Sequence, residues 1–324
     1  MRPVPLPDVS IVLCTSGRRA PALARCLQSL SRLRGVSTEL IVVENRRRQM
    51  LQPVLVPRVP TRFVHEPRRG LDVARNRGAA EAKAPIVAFI DDDCEASPDW
   101  LKHIVAAFAD PAVACVTGRV LPANIALETA KWFEARFSFD RGEQSRCFRR
   151  GDHLPWFPTH PYQLGTGCNM AVRRDVLHQV GGFDPALDMG TFVGGGGDLD
   201  LFRRVLLAGH TAAYAPTAVI RHHHRADRAA LGYQFFGYGA TVTALATKSI
   251  LTGDGGRWQS AKFVKFYFSN ELQQVRARLR GSAHVTVPVR MLACEMAGHL
   301  WGPVGYLLGV AHPNRRRRGR FRRP

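Results

Sequence analysis

The sequence has no C-x-x-C pair, no long apolar run and little acid. Its seven cysteines, Cys14, Cys26, Cys94, Cys115, Cys147, Cys168 and Cys294, are odd in number and irregular in spacing. That excludes a disulfide framework and a zinc ribbon. Buried free thiols in a reducing compartment are expected instead. The first apolar run, residues 9–14, is far too short for the apolar core of a secretion signal, so the chain reads as cytoplasmic. Multi-span membrane segments and internal repeats are also absent. Acid is scarce: 26 Asp+Glu face 46 Lys+Arg, a net charge of +20. Such a balance favours anionic partners, namely nucleic acid, an anionic membrane surface or phosphorylated substrates. Seven of the basic residues are arginines in the last ten positions, and the rest of the chain is strongly basic without them.

What is present is enough to fold. The chain has 324 residues, 45% of them hydrophobic, which excludes wholesale disorder and supplies a sizeable core. The length suits two domains or one large α/β domain with an extension. In the first third, apolar strands at 9–14, 39–43, 61–65 and 85–90 alternate with helical stretches at 21–33 and 71–82. This interleaving implies βαβ units and a mostly parallel sheet. Ligands of such sheets sit outside the carboxyl ends of the strands. Thr15, Glu44 and Asp91 to Asp93 all fall there, which points to one crevice.

Residues 123–162 have weaker periodicity and several aromatics, among them Trp132, Phe133, Phe137, Phe139 and Trp156. This stretch reads as one that inserts or covers something, and its aromatics, Trp156 among them, either stack on a ligand or pack into the core. The pattern then sharpens: a short strand, a helix at 174–180, Gly-Gly-Phe-Asp at 181–184, four glycines at 194–197 and a helix at 198–208. Two helical stretches follow His222, His223 and His224.

Four constellations carry chemistry. Asp91, Asp92 and Asp93 repel one another unless solvated, capped or neutralised, and hard oxygen ligands suit Mg²⁺ or Mn²⁺. An acidic turn or helix cap is the plainer reading. The glycine run reads either as a loop that closes over a ligand or as a linker before a helix capped by Asp198. At that helix start the dipole lowers the carboxyl's pKa, leaving it ionised and able to accept a proton. Of the three histidines at most two share a site, because successive strand side chains alternate faces. Arg75 and Arg77 either meet phosphates or form a solvated helix face.

Taken in order, these pieces resemble a family 2 glycosyltransferase of the GT-A fold. Residues 9–18, VSIVLCTSGR, resemble the family's opening strand and nucleotide loop. Glu44-Asn45 sits where the family has an acidic residue that reads the base. Residues 70–93, GLDVARNRGAAEAKAPIVAFIDDD, resemble its Gly, Ala-Arg-Asn, Gly, Ala and D-x-D pattern. Gly-Gly-Phe-Asp and residues 198–210, DLDLFRRVLLAGH, resemble its later blocks. Two departures stand out: Glu44 replaces the commoner Asp, and the family's Glu-Asp pair reads Gly197-Asp198. Asp200 is then the nearest rival to Asp198. No Q-x-x-R-W is present, which disfavours a processive synthase.

The resemblance implies a Rossmann-like, mostly parallel sheet flanked by helices, with a helical C-terminal extension. The expected division is a GT-A domain over 1–225 (nucleotide half 1–120, acceptor half 121–225), helices over 226–313 and a basic, disordered tail over 314–324. It implies an inverting, metal-dependent, non-processive transfer of sugar from a nucleoside-diphosphate sugar to an acceptor hydroxyl. Thr15, Arg18, Glu44, Arg75, Asp91 and Asp92 would bind the donor. Asp93 and His222 would hold Mg²⁺ or Mn²⁺, and Asp198 would be the base. The competing readings are a metal-dependent nucleotidyltransferase, for which Thr15 to Arg19 is too poor in glycine, and a basic nucleic-acid binder, for which no recognition motif is present. Residues 291–311 make a poor spanning helix. With the arginines just beyond, they read either as a peripheral anchor on the inner, anionic membrane face or as a packed helix followed by a disordered tail.

Overall fold

The computed structural model describes residues 6–52, 56–152, 156–254, 257–280 and 286–312; the arginine run lies outside them. Nine strands form one sheet: β1 (Val9–Thr15), β2 (Thr38–Asn45), β3 (Thr61–Glu66), β4 (Ile86–Asp91), β5 (Cys94–Ala96), β6 (Val113–Pro122), β7 (Arg146–Phe148), β8 (Asn169–Arg173) and β9 (Thr211–His222). The order is β3-β2-β1-β4-β8-β6-β9-β5, with β7 on β9. The first four strands run parallel, and β8 enters antiparallel between β4 and β6.

Alternation along the strands feeds two cores. Val9, Ile11 and Leu13 face α1 (Ala20–Leu30) and α3 (Trp100–Ala107). Val12 and Cys14 face α2 (Leu71–Glu81), α5 (Arg174–Gln179) and α6 (Gly197–Leu207). Each fully buried Val, Leu, Ile or Phe contributes about 1.5–3 kcal/mol relative to exposure, so this two-sided burial fixes the register. Gly78 lets α2 settle on β1: a Cβ there would lie 2.4 Å from Val12 Cγ1. Five of the seven cysteines are buried, Cys294 is half-buried and Cys147 exposed, and all seven are free thiols.

The structure extends the sequence reading in three places. Residues 97–122 hold α3 and β6, which no clear pattern announces. The aromatic middle contains α4 (Glu128–Arg136), and its Phe133 and Phe137 pack on His224, Phe235 and Tyr238 rather than on solvent. Trp156 likewise packs on Phe263 and Phe266. After the histidines come three helices, not two: α7 (Arg228–Thr252), α8 (Arg257–Leu279) and α9 (Val289–Ala311). α7 and α9 cross closely, and a Cβ on Gly239 would stand 2.0 Å from Glu295 O. No helix of the described residues is long and apolar enough to cross a membrane.

A buried ion cluster ties α7 to the sheet side. Lys248 Nζ lies 2.6 Å from Asp184 Oδ2 and 2.6 Å from Asp200 Oδ1. Asp200 also meets Arg204 Nε at 2.8 Å. Burial pushes Asp200 up, but Arg204 and Lys248 outweigh it and hold the carboxyl well below the usual range. Replacing the cation takes a buried charge partner from both Asp184 and Asp200, so Lys248→Met should cost about 3–5 kcal/mol. Urea unfolding measures this; an unchanged midpoint would refute the brace.

Candidate active site

The parallel registers place Thr15 beside Glu44 and Cys14 beside Asp91. The carboxyl ends of β1, β2 and β4 therefore open together into a crevice of about 920 Å³. Thr15, Arg18, Arg75, Asp91, Asp92, Asp93, Asp198 and His222 all line it; Glu44 does not. The Glu44 carboxylate turns into the following loop, accepting from the Met50 and Leu51 amides at 2.9 and 3.1 Å. Asn45 lines the crevice in its place, and Asn45 Oδ1 accepts from Gly70 N at 3.0 Å.

The three acids diverge. Asp91 is partly open to the crevice and lies 3.3 Å from Arg75 Nη2. Asp92 accepts from Thr15 Oγ1 at 2.5 Å and from Arg19 Nη2 at 2.7 Å. Burial raises the Asp92 carboxyl to about 6 despite Arg19. Asp93 receives Arg19 on one side and lies 3.6 Å from His222 Nε2 on the other. Burial pushes Asp93 up, but His222 and Arg19 hold it far below the usual carboxylate range. Burial depresses His222 in turn, yet Asp93 raises it to about 9. Arg19 was not singled out by sequence, where it looks no different from Arg18. Arg18 is exposed and makes no ion pair among the described residues.

The donor set fits a divalent ion. Asp93, Cys94 and His222 lie within 4.8 Å of one another, all buried. Among the described residues His222 Nδ1 has no partner. Burial keeps the Cys94 thiol protonated, which leaves a carboxylate, a hard oxygen ligand suited to Mg²⁺ or Mn²⁺, beside an imidazole. A second acid and histidine group, Glu271, Glu295 and His299, already holds Arg136 between its carboxylates. The strand alternation separates the histidines as expected. His222 and His224 are neighbours, with ring centroids 4.8 Å apart, whereas His223 turns to Glu95 Oε1 at 2.6 Å.

Across the crevice stands Asp198. Its Oδ2 accepts from Gly167 N at 2.6 Å, and its Oδ1 from Leu199 N at 2.8 Å. Two expectations need correction. The N-cap of α6 is Gly196, at φ +93, and Asp198 lies inside the first turn. The Asp198 carboxyl is raised, not lowered, because burial and the neighbouring Asp188 outweigh Arg75 and the two amides. A helix dipole supplies only about 0.3–1 kcal/mol, too little to win here.

The glycine run is also not a free hinge. A Cβ on Gly195 would stand 2.5 Å from Thr241 Oγ1, and one on Gly196 2.7 Å from Thr241 Cγ2. The run lies flat on α7. Arg75 is buried on the crevice wall, and its guanidinium is engaged by Asp188 at 2.8 Å, Asp91 at 3.3 Å and Asp72 at 3.4 Å. Asp188, at φ +69, falls in a stretch without periodicity and was missed by sequence. Arg225, Gln234 and Tyr238, also unforeseen, close the crevice from the side of α7.

Known proteins resemble this chain over much of its length. It is 29% identical over 188 residues to the pre-mycofactocin glycosyltransferase of Mycobacterium tuberculosis, covering 57% of this chain and 37% of that protein. The chain thus spans little more than a third of that relative. It is 27% identical over 236 residues to the succinoglycan biosynthesis protein ExoM of Rhizobium meliloti, covering 69% of this chain and 70% of that one. Among solved structures, the mannosyltransferase of Pyrobaculum calidifontis in complex with GDP-Man and Mn²⁺ superposes with a TM-score of 0.57 at 17% identity. That match covers 92% of this chain and 88% of the other. S. aureus TarS in complex with UDP-GlcNAc gives a TM-score of 0.55 at 13% identity, covering 93% and 90%. Both likenesses support a GT-A fold for this chain. The model for the family "Glycosyl transferase family 2" matches residues 10–181, more than half of the chain, and by that match the protein belongs to glycosyl transferase family 2.

Proposed function

We propose that the protein is an inverting, metal-dependent, non-processive glycosyltransferase that moves a sugar from a nucleoside-diphosphate donor to an acceptor hydroxyl. The observation that carries this reading is the facing arrangement of Asp93 and His222, 3.6 Å apart, with Asp198 lining the same crevice. Asp93 and His222 would hold Mg²⁺ or Mn²⁺, and such an ion neutralises charge on a departing diphosphate. Thr15 and Asp92, joined by their hydrogen bond, shape the nucleotide side, with Asn45 rather than the Glu44 carboxylate facing it. Arg18 brings a free cation to the mouth, while Arg75 orients Asp91 and Asp188. Asp198 takes the acceptor's proton as the hydroxyl attacks in line, which gives inversion. Donors bound by the solved neighbours, GDP-Man and UDP-GlcNAc, support a nucleotide sugar as substrate class. A panel of nucleotide sugars, scored by thermal shift with and without Mn²⁺ and then by product stereochemistry, tests the reading. Retention of configuration would overturn inversion. Pyrophosphate release from a nucleoside triphosphate and a sugar phosphate would favour nucleotidyl transfer instead.

The outer face of α9 supports peripheral binding to an anionic membrane as part of this proposal. Leu300, Val304, Leu307 and Leu308 are exposed along one stripe, beside exposed Phe192. Trp301 Nε1 donates to Phe192 O at 2.7 Å, which joins the stripe to the loop that carries the crevice-lining Met189 and Gly190. The sequence then supplies the arginines, each worth about 1 kcal/mol near an anionic surface. The protein should pellet with phosphatidylglycerol vesicles at low salt and not with phosphatidylcholine vesicles; Val304→Glu with Leu308→Glu should abolish pelleting. No pelleting, or a dimer that buries the stripe, would refute it.

A further inference from the structure

The carboxylates around Arg75 include one that the mechanism above does not use. Asp72, on the first turn of α2, has no solvent exposure. Among the described residues its Oδ2 has no hydrogen-bond partner, and its Oδ1 has only Arg75 Nη1 at 3.4 Å. A Cβ built on Gly197 would stand 1.9 Å from that Oδ2 and 2.5 Å from Asp72 Cγ. The carboxyl group of Asp72 and a side chain at 197 therefore claim the same space. Residue 197 opens α6 and directly precedes Asp198.

We infer that Asp72 is a positioning residue for this site: its carboxyl group fills the side-chain space of residue 197 and sets the start of α6, and with it Asp198, against Arg75. The inference rests on the reading of Asp198 as the base. The packing around Asp198 supports it. A Cβ on Gly167 would meet Asp198 Cβ at 2.8 Å and Arg75 Nη2 at 3.1 Å, so Asp198 and Arg75 are held in one tight layer with nothing loose between them. Asp72 meets that layer at Arg75 Nη1 and at the side-chain space of residue 197. Charge supports it too. Asp72, Asp91, Asp188 and Asp198 all act on one guanidinium, an excess of acid over base. Burial, then Asp188, push the Asp72 carboxyl well above its ordinary range. A neutral acid meets the needs of a buried group with one long contact far better than an anion does. Asparagine reproduces its shape and neutrality, whereas alanine leaves a gap.

The test is a cycle of Asp72→Ala, Gly197→Ala and the double variant, with Asp72→Asn beside it. Gly197→Ala should lower kcat about 100-fold, the scale of an ångström-sized displacement of a catalytic group, with the donor KM unchanged. The double variant should regain about tenfold of that loss, because the added methyl then sits in vacated space. Asp72→Asn should keep the parent kcat while Asp72→Ala loses it. Melting temperatures of the same four proteins report the shared space without any substrate, so a cycle coupled in stability keeps its meaning even if the transferred group is not a sugar. Additive effects in both readouts, or equal kcat for the asparagine and alanine variants, would overturn the inference. If Gly197→Ala does not fold, the comparison of those two variants decides.

Discussion

Asp93→Ala should leave no measurable sugar transfer and no Mn²⁺-assisted binding of nucleoside diphosphate. Asp93 is buried between Arg19 and His222, and both neighbours stabilise its ionised form. It is therefore a fixed negative charge at the carboxyl edge of the sheet, where a diphosphate needs a counter-ion. Alanine removes the charge and also takes away the group that keeps His222 protonated against burial, leaving Arg19 without its carboxylate partner there. Calorimetry with a nucleoside diphosphate, with and without Mn²⁺, measures the loss; parent-like activity in excess chelator would sink the metal reading altogether. His222→Ala should weaken the ion's affinity less, since diphosphate oxygens still contribute. The sign of the pH effect follows from His222. In the ion-free protein its imidazole stays protonated up to about 9. Ligation needs the neutral ring, so metal uptake releases a proton and apparent affinity climbs as pH rises toward 9.

The second large effect is expected of Asp198→Asn. Loss of a general base typically costs about 10² to 10⁴ in rate. Asparagine preserves the bond from Gly167 N and the size of the group, so donor affinity should stay near the parent value while kcat falls. That split marks a group used mainly in the transition state. The raised carboxyl adds a pH signature. The base works ionised, so kcat/KM should fall as pH drops through a pKa above the ordinary aspartate range, and the variant should lack that limb. A variant with parent-like kcat would remove Asp198 from the mechanism. Asp200→Asn is not a silent control, because Asp200 anchors Lys248 and Arg204. Its effect should appear in unfolding midpoints, and turnover must be read per folded molecule.

The strand-helix half of the molecule was legible because its signals are local. β1, β2 and β4 are largely apolar runs, and the polar residues Thr15, Glu44 and Asp91 stand at their carboxyl ends. That pattern alone places Thr15 and Asp91 to Asp93 at one edge of the sheet. Roles set by long-range packing were not legible. Arg19 differs from Arg18 only because α1 begins at Ala20 and turns it toward Asp92 and Asp93. Glu44 has the right position in the chain, but the loop amides capture its carboxylate. The glycine run looks mobile on paper, because nothing in residues 194–196 reveals that α7, some forty positions later, lies against them. Asp198 looked acidic for the same reason: the helix start is visible in sequence, but Asp188 beside it is not.

The bed that α7 makes for the glycine run bears on how this chain tolerates recombination. Any graft that exchanges the C-terminal helices for those of another protein also exchanges the floor beneath the loop leading to Asp198. Gly237 lies so near Gly194 that a Cβ on it would stand 2.9 Å from Gly194 O, and Thr241 fills the hollow left by Gly195 and Gly196. A functional chimera would therefore have to carry residues 194–197 and 237–241 as one transplanted unit, although the family signature at 10–181 contains neither.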